Sequence, residues 1–105
     1  MKTWDALVVG SGQSGVPPAV ALARVGRRTA IVERADVGGT CINVGCTPTK
    51  TLVASARIAA QIARAAEYGI EAGPPRTRWA DVRERERGVV RQFRAGASGG
   101  CVTPV

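Results

Sequence analysis

The chain has 105 residues, 45% of them hydrophobic and 4% aromatic, which gives room for one small domain with a modest core. No apolar run reaches the roughly 18 residues that a membrane-crossing helix needs, so no membrane segment is expected. The net charge of +7 invites a nucleic-acid partner, but the excess is spread evenly, with six Lys/Arg against three Asp/Glu in residues 1–55 and nine against five in 56–105, so none is expected.

Met1-Lys2-Thr3-Trp4-Asp5 leads straight into a strand-like run, without the long apolar core and cleavage site of a signal peptide. A cytoplasmic protein is expected. Trp4 to Val9 is a short apolar run ending at glycine and predicts a buried parallel strand. Gly10-Ser11-Gly12-Gln13-Ser14-Gly15 follows, a complete G-x-G-x-x-G. A helix is predicted over Val16 to Val25, with Gly26 as its C-terminal stop. Arg28 to Glu33 predicts the second strand, and Glu33 lies 23 residues beyond Gly10.

Strand, glycine turn, helix, strand and acid together form a βαβ dinucleotide-binding pattern. Gly10 permits the tight turn, Gly12 lets a pyrophosphate approach the backbone, and Gly15 lets helix and strand pack closely. The N-terminal end of the helix faces the phosphates, and Glu33 would accept hydrogen bonds from an adenosine ribose. Pro17 and Pro18 fall early in that helix. With Ser14 as the N-cap they occupy its third and fourth positions, and a distorted first turn is expected.

Arg34 to Val37 reads as a surface loop. Gly38-Gly39-Thr40-Cys41-Ile42-Asn43-Val44-Gly45-Cys46-Thr47-Pro48-Thr49-Lys50 comes next, with two cysteines five positions apart. On a regular helix, positions three and four apart are neighbours, so pairing Cys41 with Cys46 requires a local distortion. A strained, reducible pair suits redox chemistry better than stapling. Two nearby cysteines are more usually buried thiols or half of a metal site, and Lys50 alone would be a surface lysine. After Cys46, Thr47 is the expected cap and Pro48 the first residue of a helix. Leu52, Ala56, Ala59, Ala63 and Ala66 form its expected inner stripe, with Gly69 as its stop. Ile70 to Thr77, containing Gly73-Pro74-Pro75, is a loop. A last helix is predicted over about 78–95. Its apolar face would be Trp79, Val82, Val89, Val90 and Phe93, with Asp81 and Arg85 paired at i,i+4. Residues 96–105 suggest an unstructured tail, and Cys101 within it an incidental thiol.

The segment GGTCINVGCTPTK resembles the redox-active stretch of the class I pyridine nucleotide–disulfide oxidoreductases, flavoproteins that include dihydrolipoyl dehydrogenase, glutathione reductase and mercuric reductase. Its Thr-Pro-Thr-Lys ending is most similar to the mercuric-reductase-like members. The resemblance implies an α/β, Rossmann-like FAD-binding domain portion over residues 1–95, truncated relative to the family. It implies FAD bound by Gly10, Gly12, Gln13, Ser14, Gly15, Glu33, Gly39, Thr40, Cys41 and Lys50. Cys46 matches the thiol beside the flavin ring, and Cys41 matches the interchange thiol that attacks substrate. Whole members reduce a small disulfide or mercuric ion with NAD(P)H and act as homodimers. Their NAD(P)H site has no counterpart here, since no second G-x-G-x-x-G is present. Neither has the histidine of their histidine–glutamate pair, since the chain contains no histidine. The isolated chain is therefore expected to be inactive alone. Two other readings stay open. One is a small thiol protein that exchanges disulfides or holds a soft metal, although two thiols without histidine make a poor closed zinc site. The other is an inactive truncated product.

Overall fold

The computed structural model describes residues 3–98. Cys101 and the rest of the segment 99–105 lie outside the described residues. Strand β1 (Ala6–Val9) leads to helix α1 (Val16–Arg24), strand β2 (Thr29–Val32), the single-turn helix α2 (Gly39–Asn43) and helix α3 (Cys46–Ala63). A 3₁₀ turn (Ala65–Tyr68) and an irregular stretch precede helix α4 (Trp79–Ser98). Among the described residues, no helix is long and apolar enough to cross a membrane.

β1 and β2 pair in parallel, with Ala6 opposite Thr29 and Val9 opposite Val32. The ladder is extended at one end by Asp5 N–H donating to the Arg28 carbonyl, and at the other by Gly10 N–H donating to the Val32 carbonyl. α1 supplies the crossover and packs on both strands, with Ala19 buried in the helix and Ala30 and Ile31 buried in β2. This is the expected βαβ unit. β1 is not buried on both faces, however: Leu7 is 60% and Val9 82% exposed, because the sheet has two strands and α1 covers one side.

α1 begins at Val16 as expected, but its cap is one position later than the expected Ser14. Gly15 is the N-cap, and no side chain caps the helix. Pro17 and Pro18 therefore fall at the second and third helical positions, whose N–H groups lack intrahelical partners in any helix. The first ladder bond, Ala19 N–H to the Gly15 carbonyl at 3.3 Å, starts directly after them. The prolines cost no hydrogen bond. At the other end Gly26 takes φ +80°, the left-handed conformation of a glycine stop.

α3 and α4 lie side by side. Arg85 of α4 donates to the Thr51 carbonyl of α3, while Arg94 reaches back to Asn43 of α2, so the two long helices run antiparallel. The expected inner stripe of α3 is met in its first half: Leu52 and Ala59 are half-buried and, with the more exposed Ala56, line a groove against Trp79 and Val82 of α4, whereas Ala63 and Ala66 are exposed and Thr51 is the buried residue. In α4 only Val90 is buried; Val82 and Val89 are half-buried, and Trp79 and Phe93 are mostly exposed. Asp81 pairs with Arg78 at 2.9 Å rather than with Arg85. α4 also runs on through Ser98, so residues 96–98 are helical rather than tail.

Candidate functional site

Both strands end at the same side of the sheet, and the segments leaving them form the site. Leaving β1, Gly10 turns with φ +97°. Gly15 lies against that turn: a Cβ there would fall 2.0 Å from the Gly10 carbonyl oxygen and 3.3 Å from a Val8 methyl. Only glycine allows α1 to approach β1 this closely. Gly12 is the opposite case, since a Cβ there would meet nothing within 4 Å. Among the described residues, the N–H groups of Gly12, Gln13 and Ser14 have no acceptor. The loop therefore offers an open face and free donors, which suits an anionic pyrophosphate.

Leaving β2, the Glu33 carboxylate turns back onto this loop. One of its oxygens accepts from the Ser11 N–H at 2.9 Å and from the Ser11 hydroxyl at 2.7 Å. The other accepts from the Ala35 N–H at 3.1 Å. These donors, with the Ser11 N–H foremost, hold the Glu33 carboxyl at about 2, well below its ordinary 4.5. Glu33 keeps acceptor capacity on the second oxygen for a ribose hydroxyl. Ser11, almost completely buried, also accepts from the Gly38 N–H at 3.0 Å. Gly39 adds a second contact, because a Cβ there would sit 2.8 Å from the Gly12 Cα. The glycine loop and the cysteine-bearing segment are thus fastened to each other.

Cys41 lies within α2, and Cys46 is the first residue of α3. Thr47 and Pro48 are consequently the second and third residues of that helix, not its cap and first residue. Between the cysteines Val44 and Gly45 leave helical geometry, with Gly45 at φ −115° and ψ −107°. That break supplies the distortion that the five-residue spacing requires. Both side chains are free thiols. The neighbouring Cys46 side chain, and then partial burial, push the Cys41 thiol above its ordinary value, while the charge of Lys50 pulls it down.

An open cavity of about 340 Å³ brings the predicted residues together. Gln13 of the glycine loop, Cys41, Cys46 and Lys50 line it, with Thr51 beside them and Val89 and Phe93 of α4 as the far wall. Gly10, Gly12, Gly15, Glu33 and Gly39 form the adjoining cradle. Ser14 is exposed on the turn before α1, and Thr40 is exposed on α2. Sequence reasoning missed three residues. Ser11 is the x of a glycine motif, where any small residue would pass. Asn43 and Arg94 are bonded across 51 positions, a distance at which no local pattern carries a signal.

The sequence profile described as pyridine nucleotide-disulphide oxidoreductase matches residues 4–99. The chain belongs to that family. Among curated members, the dihydrolipoyl dehydrogenase of Chlamydia muridarum is 39% identical over 98 residues, covering 93% of this chain and 21% of that enzyme. The dihydrolipoyl dehydrogenase of Thermus scotoductus is 38% identical over 104 residues, covering 94% of this chain and 21% of that enzyme. Among solved structures, the Cu(II) complex of the HOCl-induced flavoprotein disulfide reductase RclA from Escherichia coli superposes with a TM-score of 0.70 at 30% identity, covering 96% of this chain and 21% of that one. The chain thus spans about a fifth of the length of these relatives and corresponds to their N-terminal part. The family assignment and the Rossmann-like α/β fold agree with the sequence reading.

Proposed function

We propose that this chain is the FAD-binding and dithiol-bearing portion of a dihydrolipoyl-dehydrogenase-like flavoprotein disulfide reductase, organised as one domain portion over residues 1–95 and the segment beyond. The observation that carries this reading is the fastening of the glycine loop to the Cys41–Cys46 turn. Anything bound along Gly12 and Gln13 would lie beside both thiols.

The chain's residues suit FAD. The free N–H groups of Gly12, Gln13 and Ser14 would receive the pyrophosphate, and Glu33 the adenosine ribose. Gly39, Thr40, Cys41 and Lys50 would face the ring end, with Lys50 contributing positive charge. When bound, FAD supplies a two-electron carrier between NAD(P)H and the dithiol. The chain's own part is the thiol chemistry. Cys41 attacks one sulfur of a substrate disulfide and releases a thiol. Cys46 then attacks the resulting mixed disulfide at Cys41 and releases the second. Two electrons and two protons pass to substrate, and the pair becomes a Cys41–Cys46 disulfide. A dithiol also suits mercuric ion, the second candidate substrate. A cytoplasmic setting, which keeps thiols reduced, fits this role.

The raised Cys41 thiol needs a base to react quickly near neutral pH, and the chain has no histidine to serve. The base, the NAD(P)H site and the homodimer contacts are therefore assigned to the whole enzyme. The 105-residue chain alone is proposed not to turn over NAD(P)H. Equilibrium dialysis tests the cofactor reading. FAD is expected to be retained and FMN, which lacks the adenylate half read by Glu33, is not. Equal retention of both, or of neither, would remove the dinucleotide assignment.

A further inference from the structure

We propose, resting on the dithiol reading above, that Arg94 is a positioning residue for the Cys41–Cys46 pair and that α4 acts as a splint across the break between them. Arg94 uses its whole guanidinium fork. Nε and Nη2 donate to the Asn43 Oδ1 at 2.8 and 2.6 Å, and Nη1 meets the Asp36 carboxylate at 3.1 Å. The Asn43 amide in turn donates to the carbonyls of Val37 at 3.1 Å and Gly39 at 2.8 Å, with a longer contact to that of Asp36.

The need for such a brace follows from the lengths of the helices. Cys46 starts an 18-residue helix and is held by it. Cys41 rides on a five-residue helix with no side-chain cap. A single turn does not sustain itself, so its orientation must come from tertiary bonds. Val44 and Gly45 interrupt the helical ladder between the two cysteines. The separation of the two sulfurs therefore depends on how α2 is held relative to α3. α4 is bonded to both, through Arg94 to Asn43 and through Arg85 to the Thr51 carbonyl at 3.1 Å, with Val90 buried between these anchor points. Lysine cannot reproduce the arrangement, since one ammonium does not replace a planar fork bonded to two groups.

The test is the equilibrium between the chain's dithiol and glutathione disulfide, measured in a Cys101→Ser background. Each turnover converts two cysteine thiols and one glutathione disulfide into the Cys41–Cys46 disulfide and two glutathione thiols. Arg94→Ala is expected to lower the equilibrium constant about tenfold, because a less firmly held α2 lowers the effective molarity of one thiol towards the other. Arg94→Lys should fall in between. Arg91→Ala, which breaks only the 2.6 Å pair with Glu84 on the exposed side of the same helix, should match the parent chain. An unchanged constant in folded Arg94→Ala overturns the positioning role while leaving the dithiol reading intact. If Arg94→Ala fails to show native helix content, Arg94→Lys decides, and a constant equal to the parent's overturns the proposal. A parent chain that forms no internal disulfide overturns both.

Discussion

Ser11 and Glu33 are joined twice through one oxygen, by the Ser11 N–H at 2.9 Å and its hydroxyl at 2.7 Å. Because the Ser11 hydroxyl also accepts from Gly38, this pair links the glycine loop, the end of β2 and the start of the cysteine segment. The carboxyl is held at about 2, below its ordinary 4.5, so the bonded form contributes stability that is complete above about pH 4.5 and is lost as pH falls towards 2. Glu33→Gln should lower the urea midpoint at pH 7, and its gap from the parent chain should close as the pH falls through that window. Parallel midpoint curves would mean that the carboxylate does not hold the three segments together.

The two inner glycines of the motif should separate stability from binding. Gly15→Ala places a methyl against the Gly10 carbonyl and Val8, and an overpacked contact of this kind costs about 1–3 kcal/mol. Gly12→Ala puts a methyl into open space at a position without positive φ, so the urea midpoint should be unchanged. FAD retention should nevertheless fall, because the methyl occupies the face that a pyrophosphate approaches. Denaturation and dialysis on both variants check this. Equal destabilisation by the two would contradict it.

How much of this could be read from the chain depended on the range over which each signal acts. Gly10, Gly15 and Gly26 were legible because a turn, a close helix–strand contact and a helix stop each demand glycine locally. Helix starts were less so. Thr47 and Pro48 have the residue types of a cap and first residue, but α3 begins two positions earlier, with Gly45 as cap and Cys46 as first residue. In α1 the cap moves one residue the other way, from Ser14 to Gly15, and that keeps Pro17 and Pro18 clear of the helical ladder. The inner stripe of α3 was legible only in its first half, because alanines fit either face of a helix and α4 leaves Ala63 and Ala66 exposed. Asn43 and Arg94 were illegible for a plainer reason: their bond depends on how α4 folds back, which no window of neighbouring residues encodes. The cysteine pair was recognisable as a family segment, while the break that joins its thiols became evident only from the backbone at Val44 and Gly45.

Thiol reactivity should follow the balance around Cys41. The neighbouring Cys46 side chain and partial burial raise this thiol, and Lys50 opposes them. Since the thiolate is the reacting form, Cys41 should label slowly with iodoacetamide at pH 7 and gain rate as pH rises past the ordinary thiol range. Lys50→Met should slow it by a further few-fold, and Cys46→Ser should speed it by removing the dominant raising contact. Peptide mass spectrometry of timed labelling at several pH values reads each rate. Faster labelling in Lys50→Met would show that the Lys50 charge does not act on the pair.

The most direct measurement of the central claim is the visible absorption spectrum of the purified chain after mixing with FAD and gel filtration, before and after reduction of the dithiol. The fastening of the glycine loop to the cysteine turn should give a retained flavin band, and a long-wavelength shoulder that appears when the pair is reduced and is absent in Cys46→Ser. The protein positions a cofactor whose colour is its own, so the band reports binding and the shoulder reports contact with the thiol. A colourless chain, or a flavin band indifferent to the state of the dithiol, would contradict the joined site described here.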